Sequence, residues 1–332
     1  MKVFWKTILV FIGAVIILSA AAFLLPEKVH VERTATIDAP ARIVFNQVND
    51  LHCWGKWATW NQIDPEMKVE YINGGVGQES GYHWNNANQQ VGNGKLYITR
   101  SLPYDSIVVS MDFMKGGLAT GYFLFKEDSG KTAVIWAFDT HLGNNPLARW
   151  MGLMFDKMMG PDFEKGLANL NTLSKSIIGE QRPVVEIVSL PEVVYAGMKK
   201  TVKWENIGAE MGMMYSKISG FLQKNGISVT DMPFTIYHSM SEGEMEIECG
   251  LPVNTGFDST PEITYSKRVA GKYVFGIHVG NYETLEATHT VVQEWITRHG
   301  FSVTGGPVEV YLTDPGTEPD PGKWVTNIYY PL

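Results

Sequence analysis

The hydrophobic pattern begins with an uncharged apolar run that starts at Thr7 and ends at Leu25. At helical rise this run nearly crosses a hydrocarbon core, which predicts a membrane anchor. Lys2 and Lys6 precede it, so we expect the N-terminus to stay cytoplasmic and the rest to lie on the far side. The small residues at 19–22 also fit a cleaved signal peptide. We prefer the anchor because the apolar run continues past them, and both interpretations indicate a bacterial envelope protein.

A first soluble domain is expected at 28–178, after an anchor or signal segment at 1–27. An alternating strand from His30 leads into a short helix, six further strand patterns and a long helical stretch. Gly160-Pro161 is expected to interrupt that stretch. Its apolar stripe is interpreted as core, with a pliable ligand wall as the alternative. The stripe consists of Trp150, Met151, Met154, Phe155 and Met158.

A second domain at 183–332 contains an internal duplication. Each copy has a strand–helix–strand–strand pattern, and the helices end at Gly226 and Gly300, which lie 74 positions apart. Two such units would pair about a pseudo-twofold axis and leave a groove between their helices. The overall expectation is an α+β protein with one N-terminal transmembrane helix.

One acidic residue breaks the agreement between the two copies. The strand after the Gly-Gly-Pro turn at 305–307 carries Glu309, and aligning the copies places Glu309 against Thr235. Because the copies agree on scaffold residues and differ at this carboxylate, we predict that Glu309 serves a ligand.

Charge and cysteine content narrow the possible classes of function. The net charge is −8, and all of the excess lies in residues 183–332, which predicts no nucleic-acid partner and weakly favours cationic ligands. Cys53 and Cys249 form no metal-binding or redox motif, although one bridge between them stays open. His83 and His141 lack metal-ligand spacing, so no metal or cofactor is expected. His52 next to Cys53 lacks an orienting group, which argues against a nucleophile pair.

The first domain resembles the SRPBCC superfamily, also called the START-like or polyketide-cyclase fold. The matching segments are ATIDAPARIVFNQVND, CWGKWATWNQIDPEMKVEY, GVGQESGYHWNN and VGNGKLYITR. The resemblance implies a helix-grip curved antiparallel sheet around a hydrophobic-ligand cup. The candidate cup residues are Trp54, Trp57, Trp60 and Trp84. For the three tryptophans between 54 and 60, packing in the rim and core is favoured over lining the mouth of the cup.

The second domain resembles the GyrI-like, or AraC-type effector-binding, family. The matching segments are YVFGIHVGNYETL, EWITRHGFSVTGGPVEVYLTDP and WVTNIYYPL. The resemblance implies binding of amphipathic, often cationic molecules, with Glu309 as the cation contact and Tyr311 as its companion. Since a membrane segment and an SRPBCC-like domain stand where a helix-turn-helix would, direct transcriptional regulation is not implied. The predicted binding residues are Glu309, Tyr311, Tyr265, Phe275, Tyr282 and Trp204.

Three classes of function follow from these observations. We favour a small-molecule binding protein for sensing or sequestration at the envelope, with a hydrophobic or amphipathic ligand. The alternative is an enzyme, a hydrolase or cyclase that uses Glu309 as a general base or works in the SRPBCC cup. A scaffold that docks a protein through the acidic half has no specific motif in its favour.

Overall fold

The computed structural model describes residues 2–60, 67–85, 92–114, 117–180, 182–241 and 243–332, with side chains from residue 4. The chain forms two compact units, Met1–Arg182 and Pro183–Leu332. Three parts of the motifs quoted above, 61–66, 86 and 91, lie outside the described residues.

Helix α1, Lys2–Ala22, contains the apolar run. Its segment Phe4–Ala22 is long and apolar enough to cross a membrane, and most of its side chains are exposed. A signal sequence at this place would show the same length and composition. The apolar helix that the sequence predicts is therefore present.

The first unit wraps a seven-stranded antiparallel sheet around a long helix. The sheet order is β1-β7-β6-β5-β4-β3-β2. Its strands are β1 Lys28–Ile37, β2 Lys68–Ile72, β3 Gly81–Asn85, β4 Gly94–Leu102, β5 Ser106–Asp112, β6 Leu118–Asp128 and β7 Lys131–His141. Its helices after α1 are α2 Ala41–Asn49, α3 Trp54–Trp57, α4 Pro146–Gly152 and α5 Phe155–Gly179. This arrangement confirms the expected curved sheet with a C-terminal helix.

The core of this unit lies between the sheet and α5. Trp136 on β7 stacks on Phe163 of α5 with ring centroids 4.0 Å apart and planes 3° apart. Phe123 lies against the same tryptophan at 5.2 Å. Such aromatic pairs add to the free energy gained from buried area. The core therefore fixes α5 on the concave side of the sheet.

Two expectations about the long helical stretch were wrong. The break falls between α4 and α5 at Leu153 and Met154, and α5 continues through Pro161. Pro161 lies in the second turn of α5, where it leaves one carbonyl of the first turn without its usual donor. The apolar stripe is not core either, because Trp150, Met151, Met154 and Met158 are exposed.

The second unit is built on one eight-stranded antiparallel sheet with two helices. The sheet order is β12-β9-β11-β10-β14-β15-β13-β8. Its strands are β8 Glu186–Leu190, β9 Val193–Lys203, β10 Phe234–Ser241, β11 Glu244–Pro252, β12 Thr264–Arg268, β13 Gly271–Val279, β14 Val308–Tyr311 and β15 Val325–Pro331. Its helices are α6 Ile207–Lys224 and α7 Leu285–Arg298.

The order of this sheet shows the duplication directly. Strands β9, β11 and β10 form one half, β13, β15 and β14 form the other, and β10 pairs with β14 in the middle. Each half takes the first strand of the other copy, because β12 pairs with β9 and β8 pairs with β13. Thr235 and Glu309 face each other in the central pair. The pseudo-twofold relation expected from the repeat is therefore centred on these two residues.

Candidate ligand-binding site

Glu309 lies on β14 with its side chain on the face of the sheet that α6 and α7 cover. The residue is only 6% exposed. Its Oε2 accepts a hydrogen bond of 2.9 Å from the Tyr237 hydroxyl and one of 2.7 Å from the Tyr311 hydroxyl. Both tyrosines belong to the central strand pair, Tyr237 on β10 and Tyr311 on β14. Hydrogen bonds of this length to a carboxylate are stronger than those between neutral groups.

The second carboxylate oxygen faces helix α7. His289 Nε2 lies 2.9 Å from Glu309 Oε1, and the other ring nitrogen, Nδ1, lies 2.8 Å from the Tyr330 hydroxyl. Gln293, one turn further along α7, donates to the same hydroxyl at 3.0 Å. These contacts hold the imidazole in one orientation. Both oxygens of Glu309 are thus engaged by side chains of the second copy and by Tyr237 of the first.

The site is symmetric in position and asymmetric in charge. Counterparts in the two copies lie 74 positions apart, which pairs Tyr237 with Tyr311 and Tyr215 with His289. In the first copy the Tyr215 hydroxyl lies 2.9 Å from Thr235 Oγ1, which is the neutral equivalent of the contact between His289 and Glu309. One scaffold therefore presents a hydroxyl on one side of the axis and a carboxylate on the other.

Burial and the nearby charge keep the surrounding hydroxyls protonated. The pKa values of Tyr237 and Tyr311 are raised well above their usual range, mainly by burial and then by the negative charge of Glu309. Burial also raises the pKa of Tyr330 to about 12. These hydroxyls therefore remain hydrogen-bond donors at neutral pH.

Aromatic rings continue from the carboxylate toward solvent. The Tyr282 ring meets the Tyr311 ring edge to face at 5.8 Å, and Trp324 lies 4.8 Å from Tyr282. Tyr282 is partly exposed, and its pKa is raised by burial and by Glu309. Electron-rich ring faces beside a carboxylate suit a positively charged organic group.

The structure brings together only some of the predicted binding residues. Glu309, Tyr311 and Tyr282 are neighbours. Phe275 stacks on Tyr329, and the strand register places both rings on the opposite face of the sheet, which corrects its assignment to the groove. The remaining two lie elsewhere in the unit. Tyr265 packs against Phe257 in the core of the first copy, and Trp204 is half exposed in the 3-10 turn Trp204–Asn206.

Three residues that complete the site were not predicted. His289 lies one turn before the buried Val292 on α7. Its helical position therefore predicts that it faces the sheet. Tyr237 could have been found, since aligning Thr235 with Glu309 also aligns Tyr237 with Tyr311. Tyr330 lies on β15 next to Tyr329, whose ring is on the face away from the helices. Because successive side chains of a strand point to opposite faces, Tyr330 faces the helices.

The opposite face of the same sheet holds a second buried carboxylate. Glu248 on β11 is 9% exposed. Its Oε1 accepts a hydrogen bond of 2.9 Å from the Tyr195 hydroxyl, and its Oε2 lies 2.8 Å from His238 Nε2. Glu248 therefore has the same kinds of partner as Glu309 on the other face of the sheet.

The tryptophans assigned to a cup in the first unit are packed inside it. Trp54 and Trp57 are buried, and their indole N–H groups donate to the carbonyls of Val48 and Gln47. Trp60 contacts Trp54 at 5.7 Å, and Trp84 is also buried. A surface cavity of about 150 Å³ lies between β1 and the α4–α5 segment, and none of the four lines it. This placement favours the packing alternative.

Both cysteines are free thiols, so the bridge that the sequence left open is not formed. Cys249 lies in the core of the second unit, where its sulfur is 3.7 Å from Thr235 Oγ1. Burial raises its pKa to about 11. The thiol is therefore protonated at neutral pH.

Several solved structures resemble part of this chain. EcmrR in complex with DNA and RNA polymerase open complex is 20% identical, with a TM-score of 0.43, over 56% of this chain and 71% of that one. The C-terminal domain of EcmrR is 22% identical, with a TM-score of 0.40, over 45% of this chain and 96% of that domain. SAV2435 bound to tetraphenylphosphonium is 16% identical, with a TM-score of 0.34, over 45% of this chain and 93% of that one. No curated protein matches the chain.

These comparisons correct one prediction. The acidic charge of residues 183–332 was taken to exclude a nucleic-acid partner, and that exclusion was wrong, because the similar structures include a DNA complex. The net charge of one domain describes that domain alone and says little about what a protein containing it contacts.

Family models match both units in the order that the sequence indicates. The model for polyketide cyclase/dehydrase and lipid transport proteins matches residues 28–175, and the model for the GyrI-like small molecule binding domain matches residues 183–332. The chain is therefore a polyketide cyclase/dehydrase and lipid transport family domain followed by a GyrI-like small molecule binding domain.

Proposed function

We propose that the GyrI-like domain binds hydrophobic or amphipathic molecules that carry a positive charge, with Glu309 as the charge partner. The observation that carries this proposal is a buried carboxylate surrounded by tyrosines. Within the described part of the chain, His289 is its one ion-pair partner, and no lysine or arginine reaches it. The carboxylate therefore has no permanently charged cation beside it among the described residues.

The energetics favour a cation over a neutral molecule. A buried carboxylate has lost most of its hydration, which is costly when no charge offsets it. A ligand cation offsets that charge, and the faces of Tyr282 and Trp324 add about 0.5–2 kcal/mol for each aromatic contact. The aryl or alkyl groups of the same ligand would lie between α6 and α7. Charge and shape together would select a lipophilic cation.

The same proposal places the protein at a cell envelope. Helix α1 would anchor it, with its N-terminus in the cytoplasm and both domains on the other side of the membrane. The lysines that precede the apolar run support this orientation. A binding site for lipophilic cations held next to a membrane would serve sensing or sequestration of such compounds as they partition into the bilayer.

The proposal is tested by calorimetric titration of the full chain in lipid nanodiscs. Tetraphenylphosphonium is the cationic probe, and triphenylphosphine oxide is a neutral aryl control. Empty nanodiscs measure partitioning of each probe into the lipid. We expect saturable binding of the cation and no saturable binding of the neutral compound. Equal binding of both would contradict a carboxylate-based site.

Hydrolysis is a second candidate function for the same residues. The observation in its favour is the 2.9 Å contact between His289 and Glu309, which holds a carboxylate in place to accept a proton from water. A panel of aryl esters tested with the wild-type chain and Glu309→Gln would distinguish the two functions, since only an enzyme gives turnover that the substitution abolishes.

A further inference from the structure

Helix α4 has the reverse of the usual distribution of polar and apolar side chains. Its charged residue, Arg149, is 6% exposed, whereas Leu147 is 70% and Met151 50% exposed. The exposed apolar surface continues through the break into the first turn of α5. A helix on a water-soluble domain normally buries the apolar side and exposes the charge. The additional members of this surface are Trp150, Leu153, Met154 and Met158, each exposed.

Arg149 is buried because it joins α4 to the end of α1. Its guanidinium donates to the carbonyls of Phe23 and Leu25, just after the last turn of α1, and to Glu27 Oε2 at 3.2 Å. A cation is favourable at the C-terminus of a helix, where carbonyl groups lack partners. The Trp150 indole N–H donates to the Leu18 carbonyl at 3.1 Å. Leu18 lies four residues before the end of α1, so Trp150 is about 6 Å below that end.

The sheet contributes a second exposed apolar segment at the same end of the domain. Strand β1 starts directly after α1, and its first residue, Lys28, pairs with His141 at the end of β7. The start of β6 lies beside it, since Ala119 pairs with Thr140. The described residues on either side of 115–116, between β5 and β6, therefore lie at this end too. Their exposed apolar side chains are Phe113, Met114 and Leu118.

The other end of the domain is polar. Strand β6 is 11 residues long, so its far end at Asp128 lies about 34 Å from Leu118. The hairpin there has the sequence Glu-Asp-Ser-Gly-Lys over residues 127–131, and all five are exposed. Exposed apolar side chains therefore cluster at the end of the domain near α1, whereas the hairpin between β6 and β7 at the other end is charged.

We propose that the apolar end of the first unit is a membrane-docking surface that lies in the interfacial layer of the bilayer around α1. Its partner is the lipid itself. The depth of Trp150 fits an interfacial element, which buries its apolar side about 5–10 Å, and tryptophan favours that layer. The surface is continuous with the lipid-facing sides of α1, so a membrane that holds α1 meets it without any rearrangement. This inference rests on the membrane insertion of α1 proposed above.

Docking fixes the orientation of the domain instead of leaving it on a flexible tether. The domain would stand with its strands rising from the bilayer and its charged hairpin outermost. The cavity between β1 and α4–α5, lined by Lys28, His30 and Arg149 among others, would then open at the level of the lipid headgroups.

The test measures the depth of four single positions in the full chain, reconstituted in phosphatidylcholine liposomes. Cys53→Ser and Cys249→Ala provide the background, and a nitrobenzoxadiazole fluorophore is attached to Ile16→Cys, Leu118→Cys, Met151→Cys or Asp128→Cys. Quenching by nitroxide-labelled lipid reports contact with the bilayer, and quenching by iodide reports contact with water. Circular dichroism checks that each variant is folded.

We expect probes at 16, 118 and 151 to be quenched several-fold more by nitroxide lipid than the probe at 128, with the reverse order for iodide. Lipid contact at 16 together with water contact at 118 and 151 would overturn docking while leaving the anchor intact. Water contact at 16 would overturn the anchor and the docking surface with it. Lipid contact at 128 would overturn the upright orientation.

Discussion

Replacing Glu309 with Gln removes one negative charge from the groove and keeps almost the same volume. The amide still accepts hydrogen bonds from Tyr237 and Tyr311, which lie 2.9 Å and 2.7 Å from the oxygen in question. We therefore expect the free energy of unfolding to change by no more than about 1 kcal/mol. The binding of a cation should change far more, because its main attraction depends on the charge.

The size of that change follows from Coulomb's law. At a separation of about 4 Å and an effective dielectric constant of about 20, a unit cation and a carboxylate attract by about 4 kcal/mol. The residual dipole of the amide and the desolvation of the ligand reduce this difference. Since about 1.4 kcal/mol corresponds to a factor of ten in affinity, Glu309→Gln should weaken binding of tetraphenylphosphonium between about tenfold and about a thousandfold.

Glu248→Gln is the matched control for this experiment. Glu248 is also buried, and it also bonds a tyrosine hydroxyl and contacts a histidine, but it lies on the opposite face of the sheet. Calorimetric titration in nanodiscs should give wild-type affinity for this variant. A folded Glu309→Gln chain that binds the cation as tightly as wild type would refute the reasoning. Loss of binding in Glu248→Gln alone would move the site to the other face.

Three further predictions concern stability. Tyr237→Phe removes a donor to the Glu309 carboxylate and should lower the free energy of unfolding of the second unit by about 1.5–3 kcal/mol, measured by urea denaturation; a loss below about 0.5 kcal/mol would contradict this. The pKa of Tyr330 is raised from 10.0 to about 12, so the unfolded chain loses this proton first and stability should fall between those pH values. Tyr330→Phe should flatten that decline, and an unchanged slope would argue against it. The pKa of Asp38 is lowered from 3.8 to about 2, chiefly by Lys131, so the stability that it contributes should be lost as the pH falls through that range; Asp38→Asn should remove this acid-dependent part, and an unaltered acid titration would count against the ion pair.

The repeat made the centre of the binding site predictable. Once the helix ends at Gly226 and Gly300 fixed the alignment, Thr235 and Glu309 were equivalent, and a pseudo-twofold axis places equivalent residues of adjacent central strands opposite each other. The structure pairs these two residues directly. The partner His289 was not found because it is 20 positions from Glu309 and reaches it only through the packing of α7 on the sheet.

The errors have a common physical origin. Alternation along a strand shows which residues share a face, but it does not show which face the helices cover when both are buried. Phe275 lies on β13, where four successive residues are buried, so its side could not be read from the pattern. The prediction that the stripe containing Met151 and Met154 is core was wrong for a similar reason. Helical spacing groups apolar residues on one side without showing whether protein, lipid or water meets that side.

The most direct test of the account is the structure of the full chain in nanodiscs with tetraphenylphosphonium bound. The account predicts that the phosphonium lies beside the Glu309 carboxylate, between α6 and α7, with an aryl ring against Tyr282 or Trp324. It also predicts that His289 remains next to the carboxylate or moves aside for the ligand. A cation located against Glu248, or in the first unit with none at Glu309, would contradict the central claim.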